Sequence, residues 1–203
     1  MTKTTRKSTL NTRKLALVAI LTAVMVVLGM VNIPMPAGLS ITFNMIPVAI
    51  AAMSMGLWGG TAMGAVFGLI SFLQCFGICG SSLMGATLVA QAPVWMSFVQ
   101  RFLSRVLMGF LVALIDRSVK NRMSTGLRGA VTGFSSAFLN TLLFMSLLVL
   151  LFGRTEYMQE KMAGRAFLAY LVASVGINGL VEMVVAAIMT SAIGVALKKA
   201  RMI

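Results

Sequence analysis

Two arginines, Arg101 and Arg105, sit one helical turn apart in WMSFVQRFLSRVLMGFLVALI, where most neighbours are apolar. A guanidinium presents a planar fork of donors that matches a carboxylate or phosphate. Other polar groups interrupt apolar runs further on: Asn140 with Thr141 beside it, then Asn178 and Glu182, again one turn apart. An ionisable group inside a membrane span costs ~2.5–3.5 kcal/mol on insertion scales and usually faces a partner or a cavity. These residue types suit recognition of a small polar molecule, and they do not assemble a catalytic set. The chain has no histidine, no apolar run holds a carboxylate pair, and no G-x-x-x-x-G-K-[ST] is present. ATP hydrolysis by a P-loop is therefore excluded, and energy for any uphill work must come from a partner or an ion gradient. Cys75 and Cys79, with no other Cys or His, cannot complete a four-ligand zinc site. They read as two small apolar side chains at a helix end, or as a local disulfide if that end faces outside the cell. No metal and no cofactor is expected.

The elements that hold these groups follow from composition. Hydrophobic residues make up 59% of 203 positions and charged residues 10%, against roughly 25% charged in a soluble domain. Such a chain suits lipid, where about 20 apolar residues make one crossing. Expected spans run over 14–31, 43–55, 59–76, 95–115, 129–152 and 166–197, the last longer than one crossing. The first is read as a retained span, because no small-x-small site ends it. Pro34, Pro36 and Gly38 mark 32–42 as a loop, Gly56–Gly60 makes a tight hairpin, and 77–93 is a long loop, partly helical or re-entrant. The expected fold is all-α and integral to the membrane, one domain over 1–203 with six transmembrane helices and outer loops capping a substrate pocket.

Charge sets the orientation. The net charge is +13, from 17 basic and 4 acidic residues. The basic residues cluster before the first span (1–12, then Arg13 and Lys14), in the 116–128 loop, and at Lys198, Lys199 and Arg201. This is a positive-inside pattern and not a nucleic-acid-binding face. It predicts both termini and the 116–128 loop in the cytoplasm, with the uncharged 32–42 and 77–93 loops outside. Trp58 and Trp95 fall near opposite interfaces.

Counting 1.5 Å per residue, Arg105 lies roughly 15 Å along its helix, Asn140 roughly 18 Å, and Asn178 and Glu182 roughly 20–25 Å along theirs. The groups can share one outward-open pocket, with Gln74, Gln91 and Asn44 near its mouth. The plainer reading is an Arg105–Glu182 ion pair that holds helices together and leaves Arg101 over. Gly56, Gly60, Gly64 and Gly68 line one face of the third helix and suit close helix packing. Ala16, Ala19 and Ala23 give the first helix a small face, for internal packing or for docking another membrane subunit.

Several stretches resemble the S components of energy-coupling factor (ECF) transporters: TRKLALVAILTAVMVVLG, ITFNMIPVAIAAMSMGLWGGTAMGAVFGLISFLQCFG, RFLSRVLMGFLVAL, FLNTLLFM and NGLVEMVVAAI, in that order over nearly the whole chain. The central piece is most similar to pantothenate-type members. The resemblance implies a substrate-binding subunit of an ECF-type importer for a small water-soluble vitamin in the bacterial plasma membrane, and not an enzyme. It implies a pocket built from outer loops and helices four to six, with Arg101, Arg105, Asn140, Asn178, Glu182 and Gln74 as substrate-binding candidates. It implies docking through Ala16, Ala19 and Ala23 on a transmembrane coupling subunit driven by two ATPase subunits, with the S component toppling to release substrate. Pantothenate fits through its carboxylate, hydroxyls and amide. Riboflavin, folate or another vitamin, an ion-coupled carrier and an intramembrane enzyme are the alternatives.

Overall fold

The computed structural model describes residues 4–200 except 31–32, 35–39, 163 and 165–166. It is helical, with α1 Thr4–Met30, α2 Met45–Leu73, α3 Leu83–Gln91, α4 Val94–Val119, α5 Thr125–Phe152, α6 Glu156–Met162 and α7 Phe167–Lys199. A short antiparallel ladder pairs Ile33–Pro34 with Ser40–Ile41 inside the expected 32–42 loop. Among the described residues, four stretches are long and apolar enough to cross a membrane: Met45–Phe76, Val94–Val119, Thr125–Phe152 and Gly179–Lys199. Lys14–Met30 is a shorter apolar helix.

Helix α2 is not straight. Gly56 takes φ 67° and ψ −147°, outside the helical region. A Cβ on Gly60 would lie 3.2 Å from the Ala52 Cβ, although eight residues along a continuous helix span about 12 Å. The chain therefore folds back at Gly56, which is the hairpin expected from the sequence. Glycine suits the turn because a Cβ disfavours positive φ. The first arm is the hub of the bundle, with residues 45–53 buried without a break. Helices α1, α4, α5 and α7 surround α2.

The second arm packs on α4 at backbone distance. A Cβ on Gly60 would sit 2.7 Å from the Gly109 carbonyl oxygen, and one on Gly68 would sit 2.9 Å from the Phe102 Cα. One on Gly64 would collide with the Arg105 carbonyl. Three of the four expected glycines thus form an intramolecular seam, and the fourth is the turn. On α1, Leu17, Leu21 and Met25 are buried, while Ala16, Ala19 and Ala23 are exposed. Leu103, Leu107, Phe110 and Leu114 on α4, and Leu180, Val184 and Ile188 on α7, form exposed apolar stripes. Continuous exposed apolar surface of this kind belongs against acyl chains. The protein is a multi-pass membrane protein.

The structure departs from the sequence reading in several places. Helix α1 begins at Thr4, so the basic segment before Lys14 is already helical. The 116–128 loop shrinks to 120–124, because α4 runs to Val119 and α5 starts at Thr125. Asp116 and Arg128 are not loop charges. The Arg128 Nε and Nη2 donate to the two Asp116 carboxylate oxygens, each at 2.7 Å. Nη2 also donates to the Met53 carbonyl at 2.8 Å, one of the carbonyls orphaned where the first arm of α2 ends. Thr132 Oγ1 adds a donor to Asp116 at 3.2 Å. This buried clamp ties α2, α4 and α5 together beside the Gly56 turn.

Removing one charge of a buried pair strands the other and costs about 3–5 kcal/mol, whereas replacing both with apolar groups is often neutral. Asp116→Asn or Arg128→Gln should each lower stability by that amount, and Asp116→Leu combined with Arg128→Met should regain most of it. Unfolding of the purified protein in a graded denaturing detergent checks this. A double replacement as unstable as the singles would show that the clamp is needed for more than charge balance.

Candidate functional site

Two apolar cores divide the molecule. The larger holds Leu17, Met25, Met45, Phe67, Met108 and Met183 among others. The smaller holds Met84 and Leu88 of α3, Met145, Leu148 and Phe152 of α5, and Met158 of α6. The second core makes α3, α6 and the end of α5 a cap. Between the cores lies a polar layer containing Ser97, Gln100, Arg101, Ser104, Arg105 and Asn140, all buried. Polar positions on α4 recur at 97, 101, 104 and 105 with helical spacing, so a single face of α4 supplies most of the layer.

The two arginines are handled differently. Arg101 donates through Nη1 to the Ser71 carbonyl at 2.9 Å and to Ser71 Oγ at 3.1 Å, and through Nη2 to Ser82 Oγ at 2.9 Å. Three of its five N–H donors are thus used on the protein. The Arg105 guanidinium lies between two rings, 4.9 Å from the Phe67 centroid and 4.3 Å from that of Phe144. Such cation–π contacts offset part of the desolvation cost. Its Nη1 donates to Ser104 Oγ at 2.9 Å, but its buried Nε has no acceptor. Phe144 reaches both arginines, being 5.8 Å from the Arg101 guanidinium, and Gln100 Nε2 donates to the Phe144 carbonyl at 3.2 Å.

Asn140 lies one turn before Phe144 on α5, and its buried Oδ1 is also without a donor. Asn44 is fully buried, with neither Oδ1 nor Nδ2 partnered. A buried polar group left unpaired costs about 1–3 kcal/mol. Within the layer, Ser97 Oγ, Arg105 Nε and Asn140 Oδ1 are all buried without a partner, as suits a surface made for a polar molecule. Asn44 lies beside Gln74, since a Cβ on Gly29 would be 3.4 Å from Asn44 Nδ2 and 2.9 Å from Gln74 Nε2.

Of the residues singled out from the sequence, the structure brings Arg101 and Arg105 together at the Phe144 ring, with Asn140 one turn before Phe144 on α5. Gln74 instead braces the chain, donating to the Gly29 carbonyl at 3.0 Å and the Cys79 carbonyl at 3.3 Å. Gln91 Oε1 accepts the Tyr157 N–H at 3.3 Å, linking α3 to α6. The Arg105–Glu182 ion pair is not formed: among the described residues the ion pair is Arg128–Asp116. Glu182 Oε1 accepts the Thr42 N–H at 3.1 Å instead. Gly176, with φ 30° and ψ −136°, breaks α7 six residues before Glu182, and the Thr42 bond places Glu182 beside the entry to α2. The Asn178 side chain lies outside the described residues. Cys75 and Cys79 are free thiols. Phe67, Phe144 and Ser82 were missed, because aromatic and hydroxyl residues on apolar helices carry no signal until their neighbours are known.

A polytopic bundle with a capped polar layer and a buried arginine short of an acceptor suits a receptor for a polar substrate in the membrane. The family model described as "ECF transporter, substrate-specific component" matches residues 13–194, and the chain belongs to that family. It is 30% identical to the pantothenic acid transporter PanT of Lactococcus lactis subsp. cremoris (strain MG1363), over 92% of this chain and 94% of that one. It is the substrate-specific component of an ECF transporter and not an enzyme, and it works with the other components of such a transporter on a small vitamin.

Unequal bonding predicts unequal mutants. Arg101→Gln strips three hydrogen bonds from a charged donor and should lower stability by about 3 kcal/mol or more. Arg105→Gln removes an unsatisfied cation and should leave the ligand-free stability within about 1 kcal/mol of wild type. Thermal unfolding of the two purified variants checks the order, and a larger loss for Arg105→Gln would contradict it.

Proposed function

We propose that the protein captures pantothenate from the cell exterior and delivers it to an ECF module made of a transmembrane coupling subunit and two ATPase subunits. The observation that carries the substrate reading is the Arg105 guanidinium, held flat between Phe67 and Phe144 with Nε unpaired. That edge suits a side-on carboxylate. Asn140, Asn44, Glu182 and, one turn before Glu182, Asn178 supply acceptors and donors for the hydroxyls and amide. Glu182 also discourages a carboxylate at its own end, which orients the acid toward Arg105. The likeness to a pantothenic acid transporter supports the same substrate. A flat aromatic vitamin needs free ring faces, and the two rings of this layer already stack on Arg105.

In the membrane we propose six crossings with both termini in the cytoplasm. The arms of α2 are two of them, α1, α4 and α5 one each, and the part of α7 after Gly176 the last. Support comes from the Gly56 reversal and from the basic residues at 120–124 and 198–201. The cap formed by α3 and α6 then faces outside. Ala16, Ala19 and Ala23, exposed on α1, form the docking face for the coupling subunit, where small side chains permit close helix approach.

Titration calorimetry with pantothenate and with its uncharged alcohol analogue tests the substrate. A charge-assisted hydrogen bond is worth about 1.5–3 kcal/mol, or roughly 10- to 150-fold at 1.4 kcal/mol per decade. The acid should bind tighter than the alcohol by that factor, and Arg105→Gln should abolish the difference. Equal affinity of the wild type for both compounds would overturn the anion site. Ala23→Trp should leave binding intact and stop pantothenate uptake in cells that hold the whole transporter. Uptake near the wild-type rate would remove α1 as the docking face.

A further inference from the structure

Arg101 is buried next to the proposed site, yet all three of its hydrogen bonds go to the protein. The acceptors fall on two elements. Ser71 is near the end of α2, and Ser82 is the N-cap of α3, where its Oγ also accepts the Gly85 N–H at 3.2 Å. The Arg101 side chain runs under the first turn of α3. A Cβ on Gly85 would lie 2.5 Å from Arg101 Nη2 and 2.8 Å from Cys75 Sγ, so only glycine leaves the guanidinium room there.

Helix α3 is a single thickness of cover. Leu83, Ala86 and Ala90 on its outer side are exposed, while Met84, Gly85 and Leu88 face inward and are buried. The chain leading into it is pinned: Gln74 holds the Gly29 and Cys79 carbonyls, and Gly80 abuts the Gly29 carbonyl. Beyond Gly80, the Ser82 N–H donates to the Gln74 carbonyl at 3.0 Å, and a side-chain tie from α3 to α4 runs from Arg101 to Ser82. Further attachments are the apolar contacts of Met84 and Leu88 and the Gln91–Tyr157 bond at the opposite end.

We propose that Arg101 is a positioning residue that latches α3 over the polar layer through Ser82, so that the strength of this bond sets how often the layer opens to water. The substrate is then held by Arg105, one turn deeper, and Arg101 governs its entry and exit without touching it. This rests on the layer being the substrate site, but the latch itself is measurable with no substrate present.

Cys75 supplies the reporter, because it is buried against the Gly85 turn. In a Cys79→Ser background it is the sole thiol. Its rate of modification by a charged methanethiosulfonate follows the open population when opening is fast relative to labelling. Ser82→Ala removes the latch acceptor without a change in buried charge, and should speed labelling by about tenfold or more. Ser82→Thr keeps the hydroxyl and should stay near the parent rate. A control thiol at Ala137, fully buried in the larger core, should stay protected in a Cys75→Ser, Cys79→Ser background with or without Ser82→Ala. Unchanged labelling of Cys75 in Ser82→Ala, or equal acceleration at the Ala137 position, would overturn the latch. With pantothenate, Ser82→Ala should raise the association and dissociation rates together and change Kd by less than either rate. A faster Cys75 with no pantothenate binding in the parent protein would sustain the latch and count against the substrate. A change confined to Kd would make Ser82 a substrate contact and overturn the latch.

Discussion

An arginine cannot be left bare in an apolar bundle, and among the described residues three lie buried within the helices. Moving a cation from water to a low-dielectric interior costs several kcal/mol even after relaxation. Each arginine meets that cost in its own way. Arg128 pairs with Asp116 in a two-pronged salt bridge. Arg101 surrounds itself with neutral oxygens. Arg105 receives two aromatic faces and one hydroxyl, and its Nε remains without an acceptor. The first is a structural clamp, the second a tie between elements, and the third is the group we propose binds the substrate.

The packing serves this division. Glycines at 60, 64 and 68 bring the second arm of α2 against α4, and Gly64 abuts the Arg105 backbone. That contact holds Phe67 beneath the Arg105 guanidinium and Ser71 within reach of Arg101, four residues apart on one face of α2. Separate apolar cores above and below keep the polar layer thin. A bound anion would therefore sit where water is scarce and electrostatic attraction is strong. Donors held in place before binding are what a receptor requires.

Much of the architecture is legible in the sequence. Apolar runs, the Gly56–Gly60 turn and the polar positions on α4 follow from composition and period, and Arg101 and Arg105 both reach the Phe144 ring. What the sequence hides depends on partners far apart in the chain. Asp116 and Arg128 look like solvated loop charges until α4 and α5 extend toward each other and bury them. The last span looks like one unbroken helix until Gly176 breaks it six residues before Glu182. Arg101 and Arg105 look equivalent until Ser71 and Ser82 claim one of them. Asn44, twenty-three residues before Phe67, draws notice only as a residue near the mouth, and its burial without partners needs the folded bundle.

The central claim is that the two arginines have separate duties, with Arg105 binding the substrate acid and Arg101 binding the protein. A structure of the protein with pantothenate bound tests it most directly. The account predicts the carboxylate within about 3 Å of the Arg105 Nε, while Arg101 keeps Ser71 and Ser82. A carboxylate seated on Arg101, with Ser82 released and Arg105 still unpaired at Nε, would contradict it.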